Sequence, residues 1–337
     1  MVDLHKGLDG FDRLEPDNGS GGEKKEEVRL SEGTLNDPDV LYENMIGYVK
    51  DVFSKIKDGQ ESSLTAKDIT AKAKEFVGIM TKGLAPDDLV NMVFSMKEPV
   101  NDYLYTHSVN VTLLAVRIAI ELNFSGSKLE NLVIASLFHD IGMMKVEGQV
   151  WNKPGSLTPA EYELVKMHAA LGAEVLSNIN GIDESVPLII AQHQEKINGT
   201  GYPNHLKKDE IHFGARLLSL IDDYEARIHP RPWRTGTLPD KAIQNILDEE
   251  ISCYDPYFVK ALLKYISIFP VGALIRVSTG EIGRVIKTNL ETPMRPVVAI
   301  VFDRRGEKAL TQKILDLSKQ LLIYVENCVS PEALTGS

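Results

Sequence analysis

The sequence predicts a mainly α protein: a helical bundle, preceded by an N-terminal helical segment and followed by a small β-rich module. Three observations predict this. Apolar residues recur at helical spacing from Asp37 to about Phe269. After Pro270 they gather in short β-type runs instead. No run of eighteen apolar residues interrupts either pattern.

The elements follow in order. Residues 1–35 read as a flexible arm, because Asn18 to Glu27 is a polar stretch with no apolar period. Residues 36–98 read as the N-terminal helical segment. Asp37-Pro38 is a helix start, with Leu41, Met45, Tyr48, Val52 and Ile56 on one face behind it. A second helix follows Ser63-Leu64-Thr65 through Ile69, Ala73, Phe76, Val77 and Met80. Residues 99–269 read as the main helical domain. Within it, Thr158-Pro159-Ala160-Glu161 forms a capping box with proline at the first helical position. A glycine-rich loop, Asn198 to Pro203, lies between two of its helices. Residues 270–337 read as a small β module, a half-open barrel, from the runs Ala273–Val277, Gly283–Ile286 and Pro296–Phe302.

Composition narrows the function. The 337 residues carry a net charge of −11, which argues against a protein that coats long nucleic acid. A small anionic ligand stays compatible, because a few arginines or a metal ion suffice to hold it. Cys253 and Cys328 are far apart and form no metal or redox motif. The first ten residues lack the apolar stretch of a secretory signal. A cytoplasmic protein without membrane insertion is the expectation, with a homodimer as the commonest form of soluble assembly.

The chemistry lies in polar residues on apolar faces. His107 shares a face with Leu104, Val111, Leu114 and Ile118. His168 shares one with Leu164, Leu171 and Val175, and His193 follows Val186, Ile189 and Ile190. Asp222 sits one turn after Leu218, and His139-Asp140 closes an apolar helix. One such histidine is usually a hydrogen-bonded core residue. Four histidines and two aspartates pointing into one bundle need a common partner, since buried carboxylates without one are costly. Divalent metal satisfies both residue types, and the mixed N/O donors suit iron, manganese or zinc rather than calcium. His5, His205, His212 and His229 sit in polar or loop contexts and read as surface residues.

This ordered set resembles the HD superfamily of metal-dependent phosphohydrolases, and within it the HD-GYP subfamily, over about residues 100–265. The resemblance rests on His107, the run His139-Asp140-Ile141-Gly142, the stretch Lys153 to Glu161, His168, the run Gln192 to Pro203, the run Asp222 to Ala226, and Arg231 to Arg234. The residues from Val271 to Val277 are similar to an extension found on some members. The resemblance implies a centre of two or three ions, often iron, that hydrolyses cyclic di-GMP to the linear dinucleotide or to GMP, with a related cyclic dinucleotide as an alternative substrate. It assigns His107, His139, Asp140 and Asp222 to one ion, and His168 and His193 to the second, with Asp140 bridging and also acting in catalysis. Arg231 and Arg234 match a basic pair near the substrate phosphates; the plainer alternative is surface ion pairing. Tyr202 is a candidate to stack on a guanine or to meet a signalling partner protein at the loop.

The sequence departs from the family's pattern at several positions. Met143 stands where a lysine is usual, leaving Lys145 as the candidate substitute. Gln194 stands where a second histidine is usual and becomes a weaker candidate ligand. Tyr103 replaces a glutamate that supports a third ion, so two ions are expected. Asn198 and Glu225 each replace an aspartate. Two functions follow: a working phosphodiesterase, or a degenerate relative that binds a cyclic dinucleotide or a partner protein without efficient hydrolysis.

Overall fold

The computed structural model describes residues 37–95, 103–153, 155–231, 234–248, 250–289 and 291–330. The arm expected over residues 1–35 lies outside them.

Asp37 caps the first helix, α1 (Pro38–Lys57), by accepting from the Asp39 amide, and Pro38 occupies its first turn. Thr65 caps α2 (Ala66–Gly78) in the same way, and a π turn then leads to α3 (Pro86–Ser95). The main domain follows with α4 (Tyr103–Glu121) and α5 (Ser127–Phe138). Next come α6 (Pro159–Lys166), α7 (His168–Ser177) and α8 (Ser185–Gln192). The domain closes with α9 (Phe213–Ile228), α10 (Pro239–Asp248) and α11 (Pro256–Tyr265). The capping box at Thr158 and Glu161 is present with both of its hydrogen bonds.

Helix α4 is the axis of the bundle. Nearly every side chain between Tyr103 and Ala119 is buried, which explains why its polar residues must find partners inside. It packs against α1, α3, α5, α9 and α11. One continuous apolar cluster runs from Leu41 on α1 to Ile266 after α11. The N-terminal helices therefore share the main domain's core.

The C-terminal module is a five-stranded antiparallel sheet in the order β4-β3-β2-β1-β5. Its strands are β1 (Leu274–Val277), β2 (Ile282–Lys287), β3 (Val297–Phe302), β4 (Lys308–Asp316) and β5 (Val325–Cys328). The sheet is open, with β4 and β5 as its two edges, so the half-open barrel expected from the sequence is a sheet. Strands β1 to β3 contain the three apolar runs; β4 and β5 were not among them. The inner face (Ile275, Val277, Val285, Val298, Leu315) packs with Leu238, Ile268 and Phe269 of the helical part. The Cys328 amide also donates to Asp240 on α10 at 3.0 Å.

Candidate metal centre

Four imidazoles meet at the centre of the bundle, and the backbone fixes three of them. His139 caps the C-terminus of α5 and its Nδ1 lies 2.8 Å from the Ser136 carbonyl. His168 Nδ1 lies 2.7 Å from the Val165 carbonyl, and His193 Nδ1 lies 2.7 Å from the Ile190 carbonyl. In each case the acceptor is three residues back at a helix end. A carbonyl only accepts, so each Nδ1 must carry the proton, and each Nε2 keeps its lone pair. The fourth ring, His107, gives its Nδ1 to the buried Glu225 carboxylate.

All four Nε2 atoms point at one another. His139 Nε2 lies 3.3 Å from His107 Nε2, and His168 Nε2 lies 3.1 Å from His193 Nε2. Two lone pairs at such distances repel unless a proton or a cation lies between them. The carboxylates complete the set. Asp140 Oδ2 is 3.8 Å from His107 Nε2 and 3.6 Å from His139 Nε2, while its Oδ1 is 3.3 Å from His168 Nε2. Asp222 Oδ1 is 3.0 Å from His107 Nε2 and 3.8 Å from His139 Nε2. Three overlapping groups have ligand atoms within metal-binding reach: His107, His139 and Asp140; Asp140, His168 and His193; and His139, His193 and Asp222. Nitrogen and carboxylate donors with pre-set tautomers suit a first-row divalent ion.

The electrostatics of the metal-free chain agree. Burial, helped by His168 and His139, pushes His193 down to about 3, so its ring stays neutral. Burial alone would raise Asp140, but His139, His168 and His107 hold it below its usual range. Asp222 is likewise held well down, against burial, by the His107 hydrogen bond and the neighbouring rings. Burial also opposes the charge on His107, yet Glu225 and Asp222 outweigh it and hold that ring up at about 10. A proton there stands in for a metal cation.

The six core residues, His107, His139, Asp140, His168, His193 and Asp222, are brought together. The remaining expected site residues divide. Arg231 and Tyr202 line the cavity above the cluster, with the Tyr202 ring edge-on to His168. Gln194 also lines it, but its amide nitrogen donates to Asp222 Oδ2 at 2.6 Å, so here it orients a carboxylate. Lys145 does not reach the cavity. The turn Ile141–Lys145 is a 3-10 helix, whose three residues per turn put Met143 and Lys145 on different sides. Met143 lines the cavity, and Lys145 pairs with Glu61. Arg234 is exposed and donates to the Ala226 carbonyl. Of the three described histidines expected at the surface, His205 is exposed. His212 is half-buried and caps α9, and His229 lies 2.9 Å from Glu225 Oε1 because it follows that residue by one helical turn. His5 lies outside the described residues.

Sequence reasoning missed several residues that build the site. Glu225, only 1% exposed, takes nitrogen contacts from His107, Asn110 and His229. Glu195 accepts from the Asn204 and Leu206 amides at 2.6 and 3.0 Å and so folds the glycine-rich loop back. Gly201 is needed there, because a Cβ would overlap the backbone of Gln194 and Lys196. Lys196 lines the cavity with its ammonium on Ser219 Oγ and the Tyr254 hydroxyl, and burial lowers its pKa. The signal for Glu225 was its place three residues after Asp222, on the same helical face.

A helical bundle whose inward imidazoles and carboxylates form overlapping ligand sets defines the class: a helical protein with a candidate metal centre. The chain belongs to the HD domain family, whose model matches residues 89–258. Residues 274–337 match the KOW domain associated with HD domain. The resemblance read from the sequence is borne out by relatives and by the fold. The chain is 31% identical over 252 residues to a cyclic di-GMP phosphodiesterase of Pseudomonas aeruginosa, covering 74% of this chain and 60% of that one. It is 32% identical over 161 residues to a cyclic di-GMP phosphodiesterase of Thermotoga maritima, covering 48% and 44%. It is 32% identical over 169 residues to a 3'3'-cGAMP-specific phosphodiesterase of Vibrio cholerae, covering 50% and 36%. The chain thus spans 60% or less of the length of these relatives. An HDG"Y"P protein from Bdellovibrio bacteriovorus has the same fold, with a TM-score of 0.53 at 19% identity over 71% of this chain and 73% of that one.

Proposed function

We propose that the protein is a cyclic-dinucleotide phosphodiesterase that opens its substrate at a two-ion centre. The observation that carries this is Asp140, whose two oxygens face different imidazole sets, Oδ2 toward His107 and His139 and Oδ1 toward His168. That is the arrangement of a bridging ligand. His107, His139, Asp140 and Asp222 would hold one ion, and His168 and His193 the second, with iron favoured and manganese or zinc alternatives. A pair of such ions supplies an activated water and charge stabilisation at phosphorus.

The chain's own residues supply the rest. The cluster floors a groove of two connected lobes. One, of about 410 Å³, is walled by Tyr202, Lys196 and Arg231. The other, of about 680 Å³, is walled by Tyr103, Leu157, Pro159 and Tyr162. Asp140, Met143, Tyr162, Val165 and Arg231 border both. A cyclic dinucleotide has two bases and two phosphates, so one phosphodiester over the cluster leaves a lobe for each half. Arg231 would hold a phosphate through paired hydrogen bonds. In the reaction the water oxygen bonds to phosphorus, the ribose P–O bond breaks, and the water's proton passes to the leaving oxygen. The relatives that act on cyclic di-GMP or 3'3'-cGAMP support this substrate class. The division into segments at residues 35, 98 and 269, a cytoplasmic location, a partner protein at the Tyr202 loop and a homodimer belong to the same proposal.

One observation favours the second reading, a binder without efficient turnover. Met143 borders both lobes while Lys145 is turned away to Glu61. Purified protein reconstituted with iron or manganese under reducing conditions, then incubated with cyclic di-GMP and resolved by chromatography, decides between them. Linear dinucleotide or GMP that disappears in His139→Ala and Asp140→Ala supports the enzyme. Bound metal and bound nucleotide without product support the binder, and no bound metal refutes both.

A further inference from the structure

We infer that Tyr42, on the N-terminal helix α1, is a positioning residue for the metal centre, acting through Asn110 and Glu225. The Tyr42 hydroxyl donates to Asn110 Oδ1 at 2.9 Å. Asn110 Nδ2 donates to Glu225 Oε1 at 2.9 Å. Glu225 Oε2 in turn takes the proton-bearing Nδ1 of His107. Tyr42 is 4% exposed, Asn110 is 0% and Glu225 is 1%, so bulk water does not substitute for any link.

The polarity of the chain is forced. Asn110 turns its amide nitrogen, the only donor end of its side chain, to Oε1 of Glu225. The amide oxygen then faces α1 and is held there by the tyrosine hydroxyl. With Asn110 fixed on Oε1, Oε2 is left for His107, and Nε2 of that ring, the atom a metal would take, points to Asp140, Asp222 and His139. Tyr42 lies outside residues 89–258, the part that matches the HD family model. The inference makes α1 a working part of the centre rather than packing alone, and it rests on the metal reading proposed above.

The test compares Tyr42→Phe with Val52→Ala. Val52 is buried on the same helix and takes no part in the relay. Each protein is stripped of metal and titrated with manganese against a competing chelator, and thermal unfolding of the metal-free forms is recorded beside it. Partners that orient a ligand histidine are worth about 10- to 100-fold in metal affinity. Tyr42 acts three hydrogen bonds from His107, so about tenfold weaker manganese binding, the low end of that range, is expected in Tyr42→Phe, with wild-type affinity in Val52→Ala despite its lower stability. Equal affinity in Tyr42→Phe and wild type overturns the inference, as does an equal loss in Val52→Ala. If Tyr42→Phe does not fold, Tyr42→Trp, which keeps a ring and an N–H donor, replaces it, and unchanged manganese affinity there with a displaced donor also overturns the relay. A wild-type chain that binds no manganese, iron or zinc overturns the metal reading itself, which separates the two failures.

Discussion

Replacing Glu225 by glutamine keeps the side chain's size and removes one acceptor oxygen, so it tests orientation without making a cavity. In the native chain Oε2 faces His107 Nδ1, while Oε1 faces Asn110 Nδ2 at 2.9 Å and His229 Nδ1 at 2.9 Å. Glutamine has one oxygen and one NH2 group for these positions. If its oxygen faces Asn110 and His229, its NH2 meets His107 Nδ1–H, and the ring is driven to carry its proton on Nε2, where the metal should sit. If the oxygen faces His107, the NH2 meets the Asn110 NH2 instead. Either way at least one buried donor loses its partner, which costs about 1–3 kcal/mol of stability. Metal affinity should fall by about 10- to 100-fold, the range for a partner that orients a ligand histidine. That corresponds to about 1.4–2.8 kcal/mol. The assay is chelator-competition titration with manganese, paired with urea unfolding of the metal-free protein. Binding within threefold of wild type, at any stability, would refute the claim that this carboxylate sets the tautomer of His107.

Three further outcomes follow from the geometry. Gly142→Ala places a Cβ against the backbone of His168 and Gly172, where α7 packs on the turn after Asp140. It should cost about 3 kcal/mol or more in urea unfolding, the upper end for overpacking against atoms that cannot rotate away, and an unchanged midpoint would sink the close-approach argument. Arg231→Ala should weaken cyclic di-GMP binding by tenfold or more with metal content unchanged, whereas Arg234→Ala, whose guanidinium is committed to Ala226, should change it less than threefold. Isothermal titration of both variants checks the contrast; equal effects would show that the two arginines act as a pair after all. Burial, with the nearby Asp240 charge, pushes the Cys328 thiol up to about 12. At pH 8 it should resist Ellman's reagent in the native state and react on adding guanidinium, and rapid native labelling of Cys328 would show that the β-module contact opens.

What the sequence carried was direction: which residues face inward. A helical period places His107 among Leu104, Val111 and Leu114, and the bundle buries all four. Asp37-Pro38 and the Thr158 capping box are local signals, and both helix starts lie where they indicate. What it did not carry was which inward residues meet. Glu225 looked like a retained charge because His107 and Asn110, two of its partners, lie more than a hundred residues upstream and meet it only on folding. His229 looked like a surface residue because it stands in a loop context beside Pro230, yet the Val93 carbonyl of α3 closes over its other nitrogen at 3.0 Å. Lys145 seemed a substitute for the lysine missing at Met143, but a two-residue shift that is small along the chain is 240° around a 3-10 turn. Strand β4 escaped notice because an edge strand needs fewer apolar residues, and its lysines at 308 and 313 mark it as an edge. The same distinction governs the site's chemistry. Inward aspartates at 140 and 222 bring two negative charges to the ligand positions, and two divalent ions would bring four positive ones. The buried Glu225 carboxylate on His107 adds a third negative charge, so the surplus would be one, which matches the single phosphodiester over the cluster and leaves the second phosphate to Arg231 at the border of the two lobes.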